Sequence, residues 1–101
     1  MITHIVFFKM LPEAEGRSDR ENADKLVELL QNLPREIEPI VELEAGTDFS
    51  ATPASFDVGL VTRFRTREDL ETYRVHEAHQ AVVQFVGRTT SERAVVDYES
   101  G

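Results

Sequence analysis

The sequence predicts an α+β fold in which two helices cover one face of a four-stranded antiparallel sheet. Stretches of alternating or continuous apolar residues predict strands, and apolar residues at helical spacing between them predict helices. The order of strand, helix, strand, strand, helix, strand is that of ferredoxin-like folds, and right-handed crossovers leave few other arrangements. The predicted strands cover residues 2–10, 41–45, 56–64 and 94–98, and the predicted helices cover 18–33 and 66–86.

The ends of both helices carry recognisable signals. Ser18 and Glu21 form a capping box, in which a serine and a glutamate satisfy each other's backbone donors. Thr66 precedes two acidic residues and is expected to cap the second helix. Pro34 is expected to end the first helix, and Gly87 is expected to form the C-terminal cap of the second.

Length, charge and composition narrow the class of protein. The 101 residues are enough for one domain, which we expect to span residues 1–101. A net charge of −8 argues against binding to nucleic acid or to anionic membranes, because both need a basic surface. The absence of cysteine excludes disulfides, thiol nucleophiles and cysteine metal sites. No segment resembles a signal peptide or a membrane span, so the expected location is cytoplasmic.

The second face of the predicted sheet indicates how the protein assembles. Helices can cover only one face, yet the other face carries Ile5, Phe7 and Val61. An exposed apolar patch of this kind is typical of an interface. We therefore expect a homodimer in which two sheets pack face to face, about 10 Å apart. Gly59 in the third strand fits either close backbone approach at that interface or a β-bulge.

Three of the four residues most suited to chemistry lie close together in the sequence. Tyr73, His76 and His79 share one short stretch, and His4 in the first strand is the remaining histidine. On an unbroken helix, Tyr73 and His79 would point about 120° apart. A break near His76 would bring them together and place His79 near the positive end of a new helix dipole, which favours the neutral imidazole. Neutral His79 suits a general base and Tyr73 an oxyanion donor, while His4 would orient the substrate or a water.

Two other interpretations of these residues remain open. In the first, His76 only caps a helix and Tyr73 packs in the core. In the second, the histidines and Glu77 bind zinc, although the His76 to His79 spacing is one residue shorter than in the HExxH motif. The second interpretation is the weaker one, and we expect neither a metal site nor a cofactor.

Four segments along the chain match the pattern of one known family. Residues 73–80 resemble a signature of tyrosine, two residues and His-Pro-x-His, while residues 1–6, 46–50 and 94–98 resemble flanking strands and a loop. The whole chain thus resembles the stress-responsive A/B barrel, or Dabb, family. The resemblance implies a ferredoxin-like protomer and a dimeric α+β barrel. Its polyketide-cyclase branch implies cofactor-free chemistry with His79 as base, Tyr73 as carbonyl partner and His4 as the matching first-strand histidine.

Two positions depart from that pattern. Glu77 replaces the signature proline, so the helix break is compatible with the sequence but not imposed by it. Leu26 stands where the cyclase branch has a tyrosine, so a different substrate and a more apolar pocket are expected. The residues expected to bind substrate are His76, Val6, Leu26, Val58 and Leu60.

These observations lead to one expected function and two alternatives. We expect a homodimer that binds a small apolar carbonyl compound and catalyses cofactor-independent acid/base chemistry, such as cyclisation, elimination or isomerisation. The first alternative is a non-catalytic, stress-related or ligand-binding homodimer. The second is a cofactor-free oxygenase like those among related dimeric barrels. The sequence does not decide between an enzyme and a binding protein.

Overall fold

The computed structural model describes residues 1–101 and confirms the predicted ferredoxin-like α+β fold. The four long strands form one antiparallel sheet, β4-β5-β1-β6, and two very short strands form a separate ribbon. In chain order, the elements are β1 (Ile2–Met10), β2 (Glu13–Ala14), β3 (Arg17–Ser18), α1 (Asp19–Gln31), α2 (Leu33–Glu36), β4 (Glu42–Thr47), β5 (Val58–Phe64), α3 (Arg67–Val75), α4 (Glu77–Thr89) and β6 (Thr90–Glu99).

Strand β1 occupies the middle of the sheet, and its register sets the geometry of the site. His4 lies opposite Thr62 of β5 and opposite Asp97 of β6. Directly paired residues of antiparallel strands project from the same face, so these three side chains share the helix-covered face. The pairing runs regularly through Gly59, which therefore does not form a β-bulge.

The core lies between the helices and this face of the sheet. Seventeen apolar residues are buried in one cluster. Leu26 of α1 and Phe64 of β5 are fully buried, and burying a side chain of this size stabilises the fold by about 1.5–3 kcal/mol. Val6 and Leu60, which pair across β1 and β5, lie in the same cluster. The faces of β1 and β5 that the alternation predicts to be buried thus pack against the helices.

The helix starts agree with the sequence. Ser18 Oγ accepts a hydrogen bond from the Glu21 N–H at 3.2 Å, and Glu21 Oε1 accepts one from the Ser18 N–H at 2.9 Å, which confirms the capping box. Thr66 Oγ1 accepts one from the Asp69 N–H at 3.0 Å and caps α3. A cap of this type contributes about 1 kcal/mol.

Both predicted helix ends were wrong. Helix α1 ends at Gln31, and Pro34 lies in the first turn of α2, where the missing proline N–H costs no hydrogen bond. Gly87 lies inside α4, which continues to Thr89. The Thr89 hydroxyl donates a hydrogen bond to the Phe85 carbonyl at 2.8 Å. A side chain of the final turn thus satisfies a backbone carbonyl there, and no glycine cap is needed.

The sheet face opposite the helices is largely uncovered. Phe7, Val96 and Tyr98 on this face keep between 46% and 49% of their surface exposed. Strand β5 begins at Val58, two residues later than predicted, and the Phe56 ring before it lies 6.0 Å from the Phe7 ring. A hollow of about 620 Å³ opens beside these two rings. None of the helices combines the length and apolar character that crossing a membrane requires.

Candidate functional site

The second long helix of the sequence is broken at His76. Helix α3 ends at Val75, His76 is extended with φ −64° and ψ 137°, and α4 begins at Glu77. His76 Nδ1 accepts a hydrogen bond from the Ala78 N–H at 3.0 Å, so the imidazole is the N-cap of α4. Glu77 is acidic and lies in the first turn, where a negative side chain interacts favourably with the helix dipole. The break therefore forms without the proline of the family signature.

This break brings three aromatic rings together. The centroids of Tyr73, near the end of α3, and His79, in the first turn of α4, lie 4.3 Å apart. The His4 ring on β1 lies 5.9 Å from the Tyr73 ring. All three side chains line one cavity of about 300 Å³ between the helices and the sheet. That volume is at the lower limit for small-molecule sites, which span about 300–1,000 Å³.

The walls of this cavity are mostly apolar. Val6 and Leu60, two of the expected substrate-binding residues, line it together with valines of α4 and with Val95 of β6. Leu26 and Val58, which were also expected to bind substrate, are buried in the core but do not line the cavity. His76 also lies outside the lining, because its ring faces the backbone that it caps.

His79 is held in one tautomer. Its Nδ1 lies 3.1 Å from the carbonyl oxygen of Arg74. A carbonyl only accepts, so Nδ1 carries the proton and the neutral ring keeps a free electron pair on Nε2. Burial lowers the pKa of His79; the carbonyl contact opposes this effect, and the positive charges of His4, Arg93 and Arg74 lower the pKa further. His79 is therefore a neutral base at neutral pH.

Tyr73 presents a buried donor with no acceptor. Its side chain is fully buried, and no protein group forms a hydrogen bond with its hydroxyl. Burial raises the pKa of Tyr73 well above its ordinary value, so the phenol stays protonated throughout the neutral range. A buried hydroxyl without a partner costs about 1–3 kcal/mol. A ligand oxygen in the adjoining cavity would satisfy it.

A carboxylate on β6 orients His4. Asp97 Oδ1 accepts a hydrogen bond from His4 Nδ1, and Asp97 Oδ2 accepts one from Arg74 Nη2 at 2.8 Å. Because the carboxylate accepts, the His4 proton lies on Nδ1 and Nε2 is the other ring nitrogen. Arg74 thus contacts both histidines, His4 through Asp97 and His79 through its own carbonyl.

Sequence reasoning missed two residues, Asp97 and Arg93. Of the two, Arg93 belongs to the cavity lining. The signal for Asp97 was an acidic residue within an otherwise apolar strand, and the β1–β6 register then places it opposite His4. Arg93 lies opposite Phe8 on the same face. The structure shows no group of three or more histidine or acidic side chains arranged to hold a metal ion.

The fold and the cavity define a ferredoxin-like protein with a neutral imidazole and a protonated phenol in an apolar pocket. Residues 2–100 match the family model described as the Stress responsive A/B Barrel Domain, or Dabb. The chain therefore belongs to the Dabb family. No curated protein matches it.

Several solved structures are similar to the chain. A dimeric protein of unknown function from Bacteroides fragilis NCTC 9343, with a ferredoxin-like fold, has a TM-score of 0.84 and 27% sequence identity, covering 98% of this chain and 95% of its own. A hydroxynitrile lyase from Passiflora edulis has a TM-score of 0.76 and 16% identity, covering 96% and 90%. An antibiotic biosynthesis monooxygenase has a TM-score of 0.71 and 15% identity, covering 100% and 99%. At these identities, the last two similarities show the fold alone.

Proposed function

We propose that this protein binds a small, mostly apolar carbonyl compound and catalyses a cofactor-independent proton transfer on it. The observation that carries the proposal is the pairing of Tyr73 and His79 in one cavity. Their rings lie 4.3 Å apart, the phenol has no hydrogen-bond partner in the protein, and the imidazole is kept neutral. A phenol that only packs in the core has no reason to leave its hydroxyl unsatisfied beside a cavity.

The reaction follows from the roles of these two groups. The substrate carbonyl oxygen accepts a hydrogen bond from the Tyr73 hydroxyl. His79 Nε2 removes a proton from the carbon next to the carbonyl, and the electron pair moves onto the oxygen as an enolate. The phenol stabilises that negative charge, and a single oxyanion donor is worth about 10²–10³ in rate. The enolate carbon then regains a proton, attacks a second carbonyl, or forms a C=C double bond to the neighbouring carbon as that carbon loses its leaving group.

His4 completes the site as an orienting group. Its hydrogen bond to Asp97 fixes the ring in one orientation, and its other nitrogen is available to a substrate oxygen or a water. This arrangement suits isomerisation, aldol-type cyclisation and elimination, which all begin with the same proton removal. The apolar lining around Val6 and Leu60 favours a substrate with an apolar segment beside its carbonyl.

The uncovered sheet face supports the proposal of a homodimer formed through that face. Phe7, Val96 and Tyr98 expose close to half of their surface there. A Cβ added at Gly59, opposite Phe7, would meet no atom of the protomer within 4 Å, so the protomer itself does not require glycine at this position. Several of the similar structures are described as dimeric.

Exchange of ketone α-protons into D₂O tests the proposed chemistry. We expect the protein to accelerate exchange in 2-octanone, followed by NMR, above an equal concentration of free imidazole. His79→Ala should abolish the acceleration, because it removes the base, while Gln84→Ala on the exposed side of the same helix should retain it. Binding of 2-octanone without accelerated exchange would contradict the enzymatic role and leave a ligand-binding protein.

A further inference from the structure

Arg93 is a cation in the wall of the cavity without a carboxylate partner in the protein. It lines the cavity from β6, and none of the ion pairs of the structure involves it. The other arginine of the lining, Arg74, is different. Its guanidinium contacts Asp97 at 2.8 Å and Glu71 at 3.9 Å, so protein carboxylates balance its charge. Arg93 is exposed to solvent, so its guanidinium is accessible to an anionic ligand that enters the cavity.

The absence of acidic side chains from this lining is unusual for this chain. The sequence holds 19 aspartates and glutamates against 11 lysines and arginines, yet none of the acidic residues lines the cavity. The nearest identified carboxylate, Asp97, is already bonded to His4 and Arg74. A positive cavity in a strongly negative protein favours an anionic ligand.

The strand register arranges the cavity floor in three parts. His4 lies at one end, Val95 lies opposite Val6 in the middle, and Arg93 lies opposite Phe8 at the other end. Arg93 and Asp97, the residue opposite His4, are four positions apart, about 13 Å along the strand. The floor therefore runs from His4, across apolar side chains, to the unpaired guanidinium of Arg93.

We infer that the substrate is an oxo-carboxylic acid whose carboxylate binds Arg93, several bonds away from the carbonyl held at Tyr73 and His79. This inference rests on the proposed function for the reacting end only. A guanidinium binds a carboxylate through two parallel hydrogen bonds, which fixes the orientation of the acid as well as its position. The apolar middle of the floor matches a hydrocarbon segment between the two oxygen-bearing groups.

A pair of probes that differ only in charge tests this inference. 7-Oxooctanoate and 7-oxooctanamide have the same length and the same ketone, and calorimetry at neutral pH measures their binding without turnover. We expect the wild-type protein to bind the acid roughly 10- to 100-fold more tightly, the range of a charge-assisted hydrogen bond. Arg93→Leu should remove that preference while leaving the affinity for the amide within about twofold, and Arg93→Lys should restore part of it.

A matched control separates a local contact from a change in net charge. Arg65→Leu removes the same charge from an exposed position outside the cavity lining and should leave the preference intact. If Arg93→Leu fails to fold, Arg93→Gln takes its place, because it removes the charge and keeps a polar side chain. Equal affinity for both probes, no binding of either, or a preference that survives in the Arg93 variants would overturn the inference.

The outcomes also distinguish this inference from the proposed chemistry. A preference for the acid that depends on Arg93, without any accelerated proton exchange, would support an acid-binding site and contradict only the enzymatic role. Accelerated exchange in 2-octanone, with no preference for the acid, would support the proposed proton transfer and contradict the binding of a substrate carboxylate by Arg93. The proton transfer is therefore tested by the exchange measurement, and the carboxylate site is tested separately by calorimetry.

Discussion

Tyr73 and His79 lie on opposite sides of the break at His76, with ring centroids 4.3 Å apart and an interplanar angle of 42°. The break lets residues six apart in sequence face each other, which a continuous helix prevents. It also leaves the Tyr73 hydroxyl buried and without a protein partner. The same local geometry therefore creates the proposed reactive pair and carries a cost in stability, as is common where activity and stability are traded against each other.

Replacing Tyr73 with phenylalanine should separate the cost of the hydroxyl in stability from its proposed contribution to catalysis. Tyr73→Phe removes a buried hydroxyl that lacks a partner, so the free energy of unfolding should rise by about 1 kcal/mol in urea denaturation. Exchange in 2-octanone should fall by about 10²–10³ because the oxyanion donor is lost. Ser50→Ala, which removes a hydroxyl from an exposed side chain outside the cavity lining, is the control and should change stability by less than about 0.5 kcal/mol. A destabilised Tyr73→Phe protein would mean that the hydroxyl has a partner after all.

The pH dependence of exchange should report the protonation of His79. Burial lowers the pKa of His79 below the ordinary value of about 6.5 for a histidine. A general base works only when neutral, so the rate of exchange should rise with pH to a plateau, with its midpoint at a pH below 6.5. A midpoint at or above pH 6.5 would contradict this assignment.

The same shift should affect stability, with a definite sign. The unfolded chain binds a proton to His79 at about pH 6.5, and the folded chain does so only at lower pH. Between these values the unfolded state holds more protons, so this contribution is complete above pH 6.5 and is lost as pH falls through the folded pKa. His79→Gln should lose less stability than the wild type over that acidic range, measured by thermal unfolding at several pH values.

The fold was predictable from the sequence, while the depth and connectivity of the site were not. Alternation and helical spacing identify which side of an element is buried, and they correctly separate the two faces of β1. They do not tell which buried residue borders a cavity, so Val6 and Leu60 line it while Leu26 and Val58 do not. Whether a buried residue borders a cavity depends on how the helices pack on the sheet, and no local sequence pattern encodes that packing.

The partners of the histidines show a second limit. Asp97 lies 93 residues from His4 in sequence, and only the β1–β6 register brings the two together. The break at His76 was likewise undecided, because Glu77 suits both the middle of a helix and its first turn. In the structure, His76 caps the new helix at the break by accepting a hydrogen bond from the Ala78 N–H. A histidine cap has no strong sequence signature.

Glu77→Pro should be tolerated and should stabilise the protein. His76 already has the extended conformation that a following proline requires, and Glu77 is the first residue of α4, where the backbone N–H has no helical partner. Proline restricts the unfolded chain, so the free energy of unfolding should rise by about 0.4–1 kcal/mol. Ala78→Pro, one residue later, removes the N–H that His76 accepts and should destabilise the protein. Equal losses of stability in both variants would show that the break is not fixed at His76.

Phe7→Asp should dissociate the proposed dimer without unfolding the protomer. Phe7 exposes 46% of its surface on the uncovered sheet face, so an aspartate there remains solvated in the monomer. In a dimer with sheets about 10 Å apart, the same carboxylate would be buried without a partner, at a cost of several kcal/mol. Analytical ultracentrifugation should therefore show a monomer with an unchanged circular dichroism spectrum, and Val96→Asp on the same face should behave alike. Val75→Asp replaces an exposed valine at the end of α3, on the opposite side of the sheet, and should leave the dimer intact. A dimer that persists in both sheet-face variants would assign the interface to another surface.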